Sequence, residues 1–338
     1  MLAPASTPRP KTLDDLLGAE VLARLDRLDV LSRKVFAGKL PGERRSKKRG
    51  ASVEFDDFRS YIPGDDLRHI DWNVYARLDR FFIKLFREEE DLGVHIVIDA
   101  SASMDAGSPS KLVLAQRVAI ALAYIGLVNQ DRIVLSIVNA PGRRAVQQLT
   151  PLRGRRSLSR IADFILNNVW PPEGYDARAG SPGSLSGALK ALALSRRGKG
   201  VMVVLSDFLV REDLRDGLNY LAGGGGGGGG GGSGGGGGAG GGFDVYCLHV
   251  LSPGEMNPEK ESGGMIGDLR LTDAETGAAA EVTVSAALLK RYKQRLAAHI
   301  ENLRKACAAR GMSHVVVPSD TDVATLLTGY LRRRGLLG

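Results

Sequence analysis

One Asp and two Ser residues at alternate positions form the part of this sequence best suited to chemistry. Asp99, Ser101 and Ser103 follow the apolar run 94–98, which is short, largely β-branched and bounded by turn-forming residues. Such a run is typical of a buried strand in a parallel sheet, and ligands of such sheets bind at the carboxyl edge. One carboxylate and two hydroxyls are hard oxygen donors, which suit Mg²⁺ or Mn²⁺.

The same three residues also fit a purely structural role. Asp99 would then cap the helix that begins near Ser110, and the two serines would be ordinary turn residues. Because short motifs also arise by chance, this stretch alone leaves both interpretations open.

Two distant segments favour the metal site. Asp207 follows a second apolar run, 201–205, and Ser184 precedes a predicted helix. If the two strands are neighbours, both carboxylates project from one edge of the sheet, and the Ser184 hydroxyl approaches from a flanking loop. An octahedral divalent cation would keep an open position there for water or an outside carboxylate. The sequence therefore predicts an Mg²⁺ site, with Mn²⁺ as the alternative ion, made of Asp99, Ser101, Ser103, Ser184 and Asp207.

Apolar periodicity predicts the elements that position these residues. Helices are predicted over 12–36, 110–128, 157–169, 185–194, 212–222, 285–309 and 322–334. Strands are predicted over 94–98, 132–138, 201–207, 244–250 and 315–317. Strands that alternate with helices at this spacing indicate an α/β fold, with a doubly wound, mostly parallel sheet flanked by helices.

The domain organisation follows from shifts in composition. We expect an N-terminal helical segment at 1–40, a small β-rich region at 41–92 and the α/β domain at 93–334. The glycine run 223–242 is predicted to be a disordered loop, because glycine loses more backbone entropy on ordering than any other residue. A hairpin is predicted to be inserted at about 252–284.

Composition limits the class of protein. The chain has 338 residues, of which 43% are hydrophobic and 25% are charged, as in ordinary globular proteins. No window approaches the ~18 consecutive apolar residues of a membrane span, and the N-terminus lacks the apolar core of a secretory signal. Two cysteines, Cys247 and Cys307, are too few for a disulfide framework. We therefore expect a cytoplasmic protein without a membrane span.

The formal net charge of +8 raises nucleic acid as a partner. Much of the positive charge lies in two clusters, 44–49 and 332–334. Aromatic residues, which would stack on single-stranded bases, do not interleave with them. A solvated basic loop is therefore the favoured interpretation of the first cluster, and nucleic-acid binding is an alternative function.

The region 41–92 is rich in carboxylates, which raises the possibility of a catalytic pair. Arginines alternate with them, which favours a structural network of ion pairs. The acidic residues are Asp65, Asp66, Asp71 and Asp79, and the basic residues are Arg59, Arg68, Arg77 and Arg80.

The same region carries the most specific motif of the chain. Residues 59–72 read Arg-Ser-Tyr-Ile-Pro-Gly-Asp-Asp-Leu-Arg-His-Ile-Asp-Trp, preceded by Gly-Ala-Ser-Val-Glu-Phe at 50–55 and followed by Ala-Arg at 76–77. They resemble the signature of the domain-of-unknown-function-58 family, over nearly the whole chain from about residue 25 to 334. The resemblance gives a partner-binding or structural role to Tyr61, Asp65, Arg68, Asp71 and Trp72.

The Asp-x-Ser-x-Ser loop and the later Asp also resemble the metal-ion-dependent adhesion site of von Willebrand factor A domains. Asp99, Ser101, Ser103 and Asp207 match that pattern, whereas Ser184 stands where the pattern prefers threonine. Serine keeps the oxygen but lacks the stiff β-branched rotamer. The resemblance implies bound Mg²⁺ and a partner protein that supplies an acidic ligand.

The function implied is that of a non-enzymatic, Mg²⁺-dependent protein-binding module. Members of the family are commonly encoded beside MoxR-type AAA+ ATPases, which implies such an ATPase and a client protein as partners in assembling or maturing protein complexes. The chain shows no His-Glu-x-x-His motif and no evident Ser-His-Asp arrangement.

An enzymatic alternative is a single-metal phosphohydrolase, with Asp99 as ligand or nucleophile. Phosphoryl transfer usually needs a cationic clamp on the phosphate. Lys111 and Arg132 are the candidates for that clamp, although Lys111 is expected on a helix surface.

Overall fold

The computed structural model describes residues 7–31, 54–62, 67, 70–87, 92–175, 183–196, 199–223, 243–260, 267–273 and 278–338. The chain forms two compact units. One contains Met1–Gly38 with Leu92–Gly338, and the other contains Lys39–Asp91. Asp65 and Arg68, two of the signature residues, lie outside the described residues, as do the basic cluster 44–49 and most of the glycine run.

The described elements are numbered in chain order. The strands are β1 (Glu54–Ser60), β2 (Phe82–Arg87), β3 (Gly93–Asp99), β4 (Arg132–Val138), β5 (Val146–Gln148), β6 (Gly200–Ser206), β7 (Phe243–Leu251), β8 (Gly267–Thr272), β9 (Ala279–Val284) and β10 (Ser313–Pro318). The helices are α1 (Leu13–Leu16), α2 (Ala19–Leu25), α3 (Trp72–Leu78), α4 (Ala102–Asp105), α5 (Lys111–Val128), α6 (Leu158–Asn168), α7 (Leu185–Ser195), α8 (Arg215–Leu221), α9 (Pro253–Met256), α10 (Ala286–Ala308) and α11 (Val323–Thr325), which continues into a π-helical turn at Leu326–Leu331.

The larger unit is built around a six-stranded sheet in the order β10-β7-β6-β3-β4-β5. All neighbours in it are parallel except β5, which runs antiparallel to β4. The first strand, β3, is fully buried and has β4 on one side and β6 on the other. The expected α/β fold with a mostly parallel sheet is therefore confirmed.

Helices cover both faces of this sheet because its strands are apolar on both sides. Val94, Ile96 and Ile98 of β3 belong to a core formed with α5 and α6. Val97 points into the opposite core, which includes Leu185 of α7, Leu218 of α8 and Leu303 of α10. One strand thus supplies side chains to both cores.

Helix α5 is the central helix of the first core. By length and composition alone it is, among the described residues, the one helix that could cross a membrane. Almost all of it is buried inside the protein, where it packs on β3 and β4. A helix that is apolar all round is what the core of an α/β protein requires.

The smaller unit contains an antiparallel pair, β1 and β2, and helix α3. Trp72, which lies in the region predicted to be β-rich, is instead the first residue of that helix. Asp71 caps the helix, because its Oδ1 accepts hydrogen bonds from the backbone N–H groups of Asn73 and Val74.

The N-terminal segment differs from the single helix predicted over 12–36. It contains two short helices, α1 and α2, separated at Gly18, whose backbone is extended. After α2, Val30 forms a bridge to Leu337 rather than another helical turn. The leucine spacing continued through the break because both helices bury leucines in the same core.

Strands β3 and β6 approach closely where Gly93 pairs with Gly200. A Cβ atom on Gly200 would lie 1.9 Å from the carbonyl oxygen of Gly93, which is a backbone atom and cannot move aside. We predict that Gly200→Ala destabilises the protein by about 3 kcal/mol, as measured by urea unfolding. Gly329→Ala is the matched control, because nothing lies within 4 Å of its added methyl group. Equal stability of the two variants would contradict this packing.

Candidate metal centre

The candidate site lies at the point in the sheet where the strands begin to be added on the opposite side of β3. From β3 the chain passes to β4 on one side and later returns to β6 on the other side, so the gap between β3 and β6 is the switch point. Open α/β sheets bind ligands outside the carboxyl ends of the strands at this point. Asp99 ends β3, and Asp207 follows the last residue of β6 directly.

Asp99 is fully buried and has a partner on each oxygen. Its Oδ1 accepts a hydrogen bond from the Ser101 N–H at 3.1 Å, and its Oδ2 accepts one from the Ser206 hydroxyl at 2.6 Å. The hydroxyls of Ser101 and Ser103, which are partly buried, lie 3.2 Å apart. The Asp-x-Ser-x-Ser segment therefore gathers its oxygens at the end of β3.

Asp207 binds a lysine that the sequence analysis expected on a helix surface. Lys111 is fully buried, and its Nζ lies 2.8 Å from Oδ2 of Asp207 and 2.5 Å from Oε1 of Glu255. The other oxygen of Glu255 accepts a hydrogen bond from the N–H of Ser252, in a capping box at the start of α9. Three loops at one edge of the sheet are thus tied together through one ammonium group.

Sequence reasoning missed Lys111 and Glu255 as members of this cluster. A signal existed for the first, because Lys111 is one of two charged residues, with Arg117, in an otherwise apolar helix. A Ser-x-x-Glu capping box was readable at 252–255, but it predicts only a helix start. Nothing local in the sequence indicates that this glutamate meets a lysine.

Burial and like charge shape the electrostatics of the cluster. Burial, together with the neighbouring Asp207 charge, raises the pKa of Asp99 from 3.8 to about 6, against the opposing hydrogen bonds from Ser206 and Ser101. Burial alone would lower the pKa of Lys111, but the carboxylates of Asp207 and Glu255 outweigh it and raise that pKa. The cluster contains three buried carboxylates, Asp99, Asp207 and Glu255, and one buried ammonium, so when fully ionised it carries a net charge of −2.

The donor set fits a hard divalent cation. Asp99, Asp207 and the two serines offer only oxygen ligands, and a charge of +2 would balance the cluster. A carboxylate has about four lone-pair sites, so the hydrogen bonds described above leave acceptor capacity. Among the described residues, no group of three or more His, Cys, Asp or Glu side chains is arranged to hold a metal ion, so such a site depends on hydroxyls.

Ser184, the fifth predicted ligand, has its hydroxyl engaged at the start of α7. It accepts a hydrogen bond from the N–H of Gly187 at 2.9 Å and donates one to Oε2 of Glu212 at 2.7 Å. Oε1 of Glu212 accepts from the N–H of Ser186. In this arrangement Ser184 caps a helix, and its role as a ligand stays a prediction.

Three histidines that are scattered in the sequence meet behind Asp207. Nδ1 of His249 lies 3.2 Å from Nε2 of His314, and the rings of His249 and His299 are 5.9 Å apart. Burial and the other two histidines lower the pKa of His249 to about 3. The Nε2–H group of His299 donates to the carbonyl of Phe208, the residue after Asp207. The cluster therefore packs against the loop that carries the second carboxylate.

The proposed phosphate clamp does not form at this site. Lys111 binds two carboxylates of the protein itself, and Arg132 begins β4 at the opposite end of the sheet. Arg132 pairs in register with Gly93, six residues before Asp99 on β3. Neither cation is positioned to hold a phosphate beside Asp99.

In the smaller unit, the described signature residues have structural contacts. Asp71 is buried as the cap of α3, whereas Trp72 is 60% exposed. Tyr61 packs edge-on against Phe81, which stacks on Tyr75. Whether this region also binds a partner stays a prediction.

The structure defines an α/β protein with two buried carboxylates at the switch point of its sheet. Sequence comparison identifies the family within that class. Residues 57–225, half of the chain, match the family described as "Protein of unknown function DUF58", and the chain belongs to this family.

Relatives and solved structures extend the comparison. The chain is 26% identical over 341 residues to "Uncharacterized protein Rv1480" of Mycobacterium tuberculosis, covering 99% of this chain and 97% of the relative. It is 27% identical over 164 residues to "Uncharacterized protein MAV169" of Mycobacterium avium, covering 48% and 83%. The pilus adhesin SpaC of Lactobacillus rhamnosus GG aligns with 74% of this chain and 30% of its own, at 10% identity and a TM-score of 0.38. That likeness is too distant to carry an argument.

Removal of the buried lysine tests the charge balance. We predict that Lys111→Met lowers the free energy of unfolding by about 3–5 kcal/mol, because it leaves Asp207 and Glu255 buried without a counter-ion. The double variant Lys111→Met/Glu255→Gln should recover part of this loss. Lys305→Met removes an exposed partner of Glu301 and should cost at most about 1 kcal/mol. Equal effects of the two lysine variants in urea unfolding would show that the buried triad is not needed.

The raised pKa of Asp99 predicts a pH dependence of stability in the presence of EDTA. The folded state holds the proton up to about pH 6, whereas the unfolded state releases it near pH 3.8. Stability from this group is therefore present below pH 3.8 and is lost as the pH rises through 6. We predict that the unfolding free energy of the wild type, minus that of Asp99→Asn, falls by roughly 2 kcal/mol between pH 4 and pH 7. A difference that does not change with pH would contradict the shift.

Proposed function

We propose that this protein is a non-enzymatic, Mg²⁺-dependent protein-binding module of the von Willebrand factor A type. The observation that carries the proposal is the pairing of β3 with β6, which puts the buried Asp99 and Asp207 at one edge of the sheet. Asp99, Ser101, Ser103 and Asp207 would hold the cation. A carboxylate from a partner protein would complete its coordination.

The charge of the cluster supports this proposal. Without a cation, three carboxylates are buried beside a single ammonium group, and burial raises the pKa of Asp99. Mg²⁺ would remove the excess negative charge and lower that pKa again. Mn²⁺, which takes the same oxygen ligands, would be an alternative ion.

The proposed partners are a MoxR-type AAA+ ATPase and a client protein, and the proposed role is the assembly or maturation of protein complexes. Their basis is the family to which the chain belongs and its resemblance in the signature region. We further propose a cytoplasmic location, because the two cysteines, Cys247 and Cys307, are free thiols, which a reducing compartment preserves.

An enzymatic role has less support from the arrangement of side chains. Neither candidate for a phosphate clamp is free beside Asp99, since Lys111 is buried in an ion-pair triad and Arg132 is at the other end of the sheet. A phosphatase screen with Mg²⁺ and Mn²⁺ should therefore find no turnover above that of the Asp99→Ala variant.

Cation binding and partner binding can be tested on the purified chain. We predict that Mg²⁺ at about a hundred times its Kd stabilises the wild type by roughly 2.7 kcal/mol, and that Asp99→Ala abolishes the effect. Asp213→Ala is the control, because Asp213 is an exposed carboxylate beyond β6 and outside the oxygen set. The purified MoxR-type ATPase should bind the wild type and Asp213→Ala in Mg²⁺ but not in EDTA. Equal binding in EDTA would overturn the proposal.

A further inference from the structure

Helix α10 is unusual because its first two-thirds are basic and only lightly packed. Of its 23 residues, Leu289, Leu303 and Cys307 are buried. Residues 286–300 contain four basic residues and no Asp or Glu. One of the four, Lys293, pairs with Glu259 at 2.9 Å. At the end of the helix the opposite charge lies on the helix itself, because Glu301 pairs with Arg304 at 2.7 Å and with Lys305 at 3.7 Å.

Four residues in the basic part form one exposed strip along the helix. Leu288, Arg291, Tyr292 and Arg295 are spaced by three and four positions, so they share one side. All four are exposed, including Leu288 at 39% and Tyr292 at 37%. Neither arginine forms an ion pair with another residue in the part of the chain that the structure describes. We call these four residues the α10 strip.

The α10 strip borders the candidate metal centre. The Tyr292 hydroxyl donates to the carbonyl of Glu255 at 2.9 Å, and His299 donates to the carbonyl of Phe208 at 3.1 Å. Glu255 holds Lys111, and Phe208 follows Asp207. Arg295 lies three residues after Tyr292 and four before His299, which places it on the side of the helix that meets these loops.

This arrangement gives no benefit within the chain itself. Two arginines at positions i and i+4 repel each other. A solvated helix face normally alternates both signs of charge, as the end of α10 does. Positions that break local rules without a local gain are expected where a site binds something else.

We propose that the α10 strip docks an acidic segment of a partner protein. Arg291 and Arg295 would bind carboxylates of that segment through their planar, two-pronged guanidinium groups. Leu288 and Tyr292 would provide apolar contact between the charges. The inference rests on the proposed function in one respect, because the same segment would supply the carboxylate that reaches the cation.

The test uses the full-length protein and a short labelled peptide rich in Glu and Leu, with a Gln-for-Glu peptide for comparison. Binding is measured by fluorescence anisotropy in Mg²⁺ and in EDTA. The test variant is Arg291→Gln/Arg295→Gln. The matched control is Lys290→Gln/Lys305→Gln, which removes two exposed cations of the same helix outside the strip. Circular dichroism checks that both variants are folded.

We expect the arginine variant to bind the acidic peptide about tenfold more weakly, and the lysine variant to bind within about twofold of the wild type. Equal losses in the two variants, or equal binding of the Gln peptide, would overturn the proposal. A single-stranded oligonucleotide or anionic lipid vesicles that bind more tightly through the same arginines would also overturn it, in favour of another class of partner.

The two proposals fail in different ways. Loss of peptide binding in EDTA and in Asp99→Ala, with the arginine variant unaffected, would overturn the α10 strip and support the metal centre. Binding that persists in EDTA but is lost in the arginine variant would support the α10 strip and contradict the requirement for a cation.

Discussion

The balance of charge around Lys111 is the interaction on which this edge of the protein depends. Carboxylates buried at adjacent strand ends repel each other and lose their hydration, which costs several kcal/mol per ion unless a counter-ion is present. Lys111 meets part of this need by binding Asp207 and Glu255. Asp99 is not bound by it, and its pKa is correspondingly raised. The fold thus holds a cluster whose excess negative charge a divalent cation would neutralise.

The sheet makes this cluster possible through its order rather than through any single loop. In the sheet, β4 and β5 lie on one side of β3, and β6, β7 and β10 lie on the other side. Strand β6 is therefore a neighbour of β3, and the two strands end side by side. The close backbone approach at Gly93 and Gly200 belongs to the opposite end of the same pair. Strands β3 and β6 are therefore constrained at both ends, by the glycine packing at one end and by the buried carboxylates at the other.

Helix α10 and the three histidines add a second layer around the candidate metal centre. Tyr292 and His299 each donate a hydrogen bond to a loop that follows a central strand. The loop after β6 is also held by the Phe208 ring, which packs against His249. A movement of α10 along its axis would therefore displace the backbone next to Asp207 and the carbonyl of Glu255 through these hydrogen bonds. This geometry links the surface where a partner would bind to the atoms that would hold the cation.

Local patterns in the sequence were enough to identify much of the architecture. Short β-branched runs and the three- and four-residue spacing of apolar residues report burial directly, so the central strands, α5, α6, α7 and α10 were predictable. Their alternation predicted the mostly parallel sheet. The same local pattern located Asp99 and Asp207 at strand ends, because each carboxylate interrupts an apolar run.

Only the tertiary structure decided which of these residues meet. Lys111 binds partners 96 and 144 positions away along the chain, and no local pattern encodes that choice. The break at Gly18 was not visible in the leucine spacing, because the helices on both sides of it bury leucines in the same core. Periodicity reports whether a side chain is buried, but not against what. Strand order and the pairing of buried charges depend on free energies that arise when distant segments pack together.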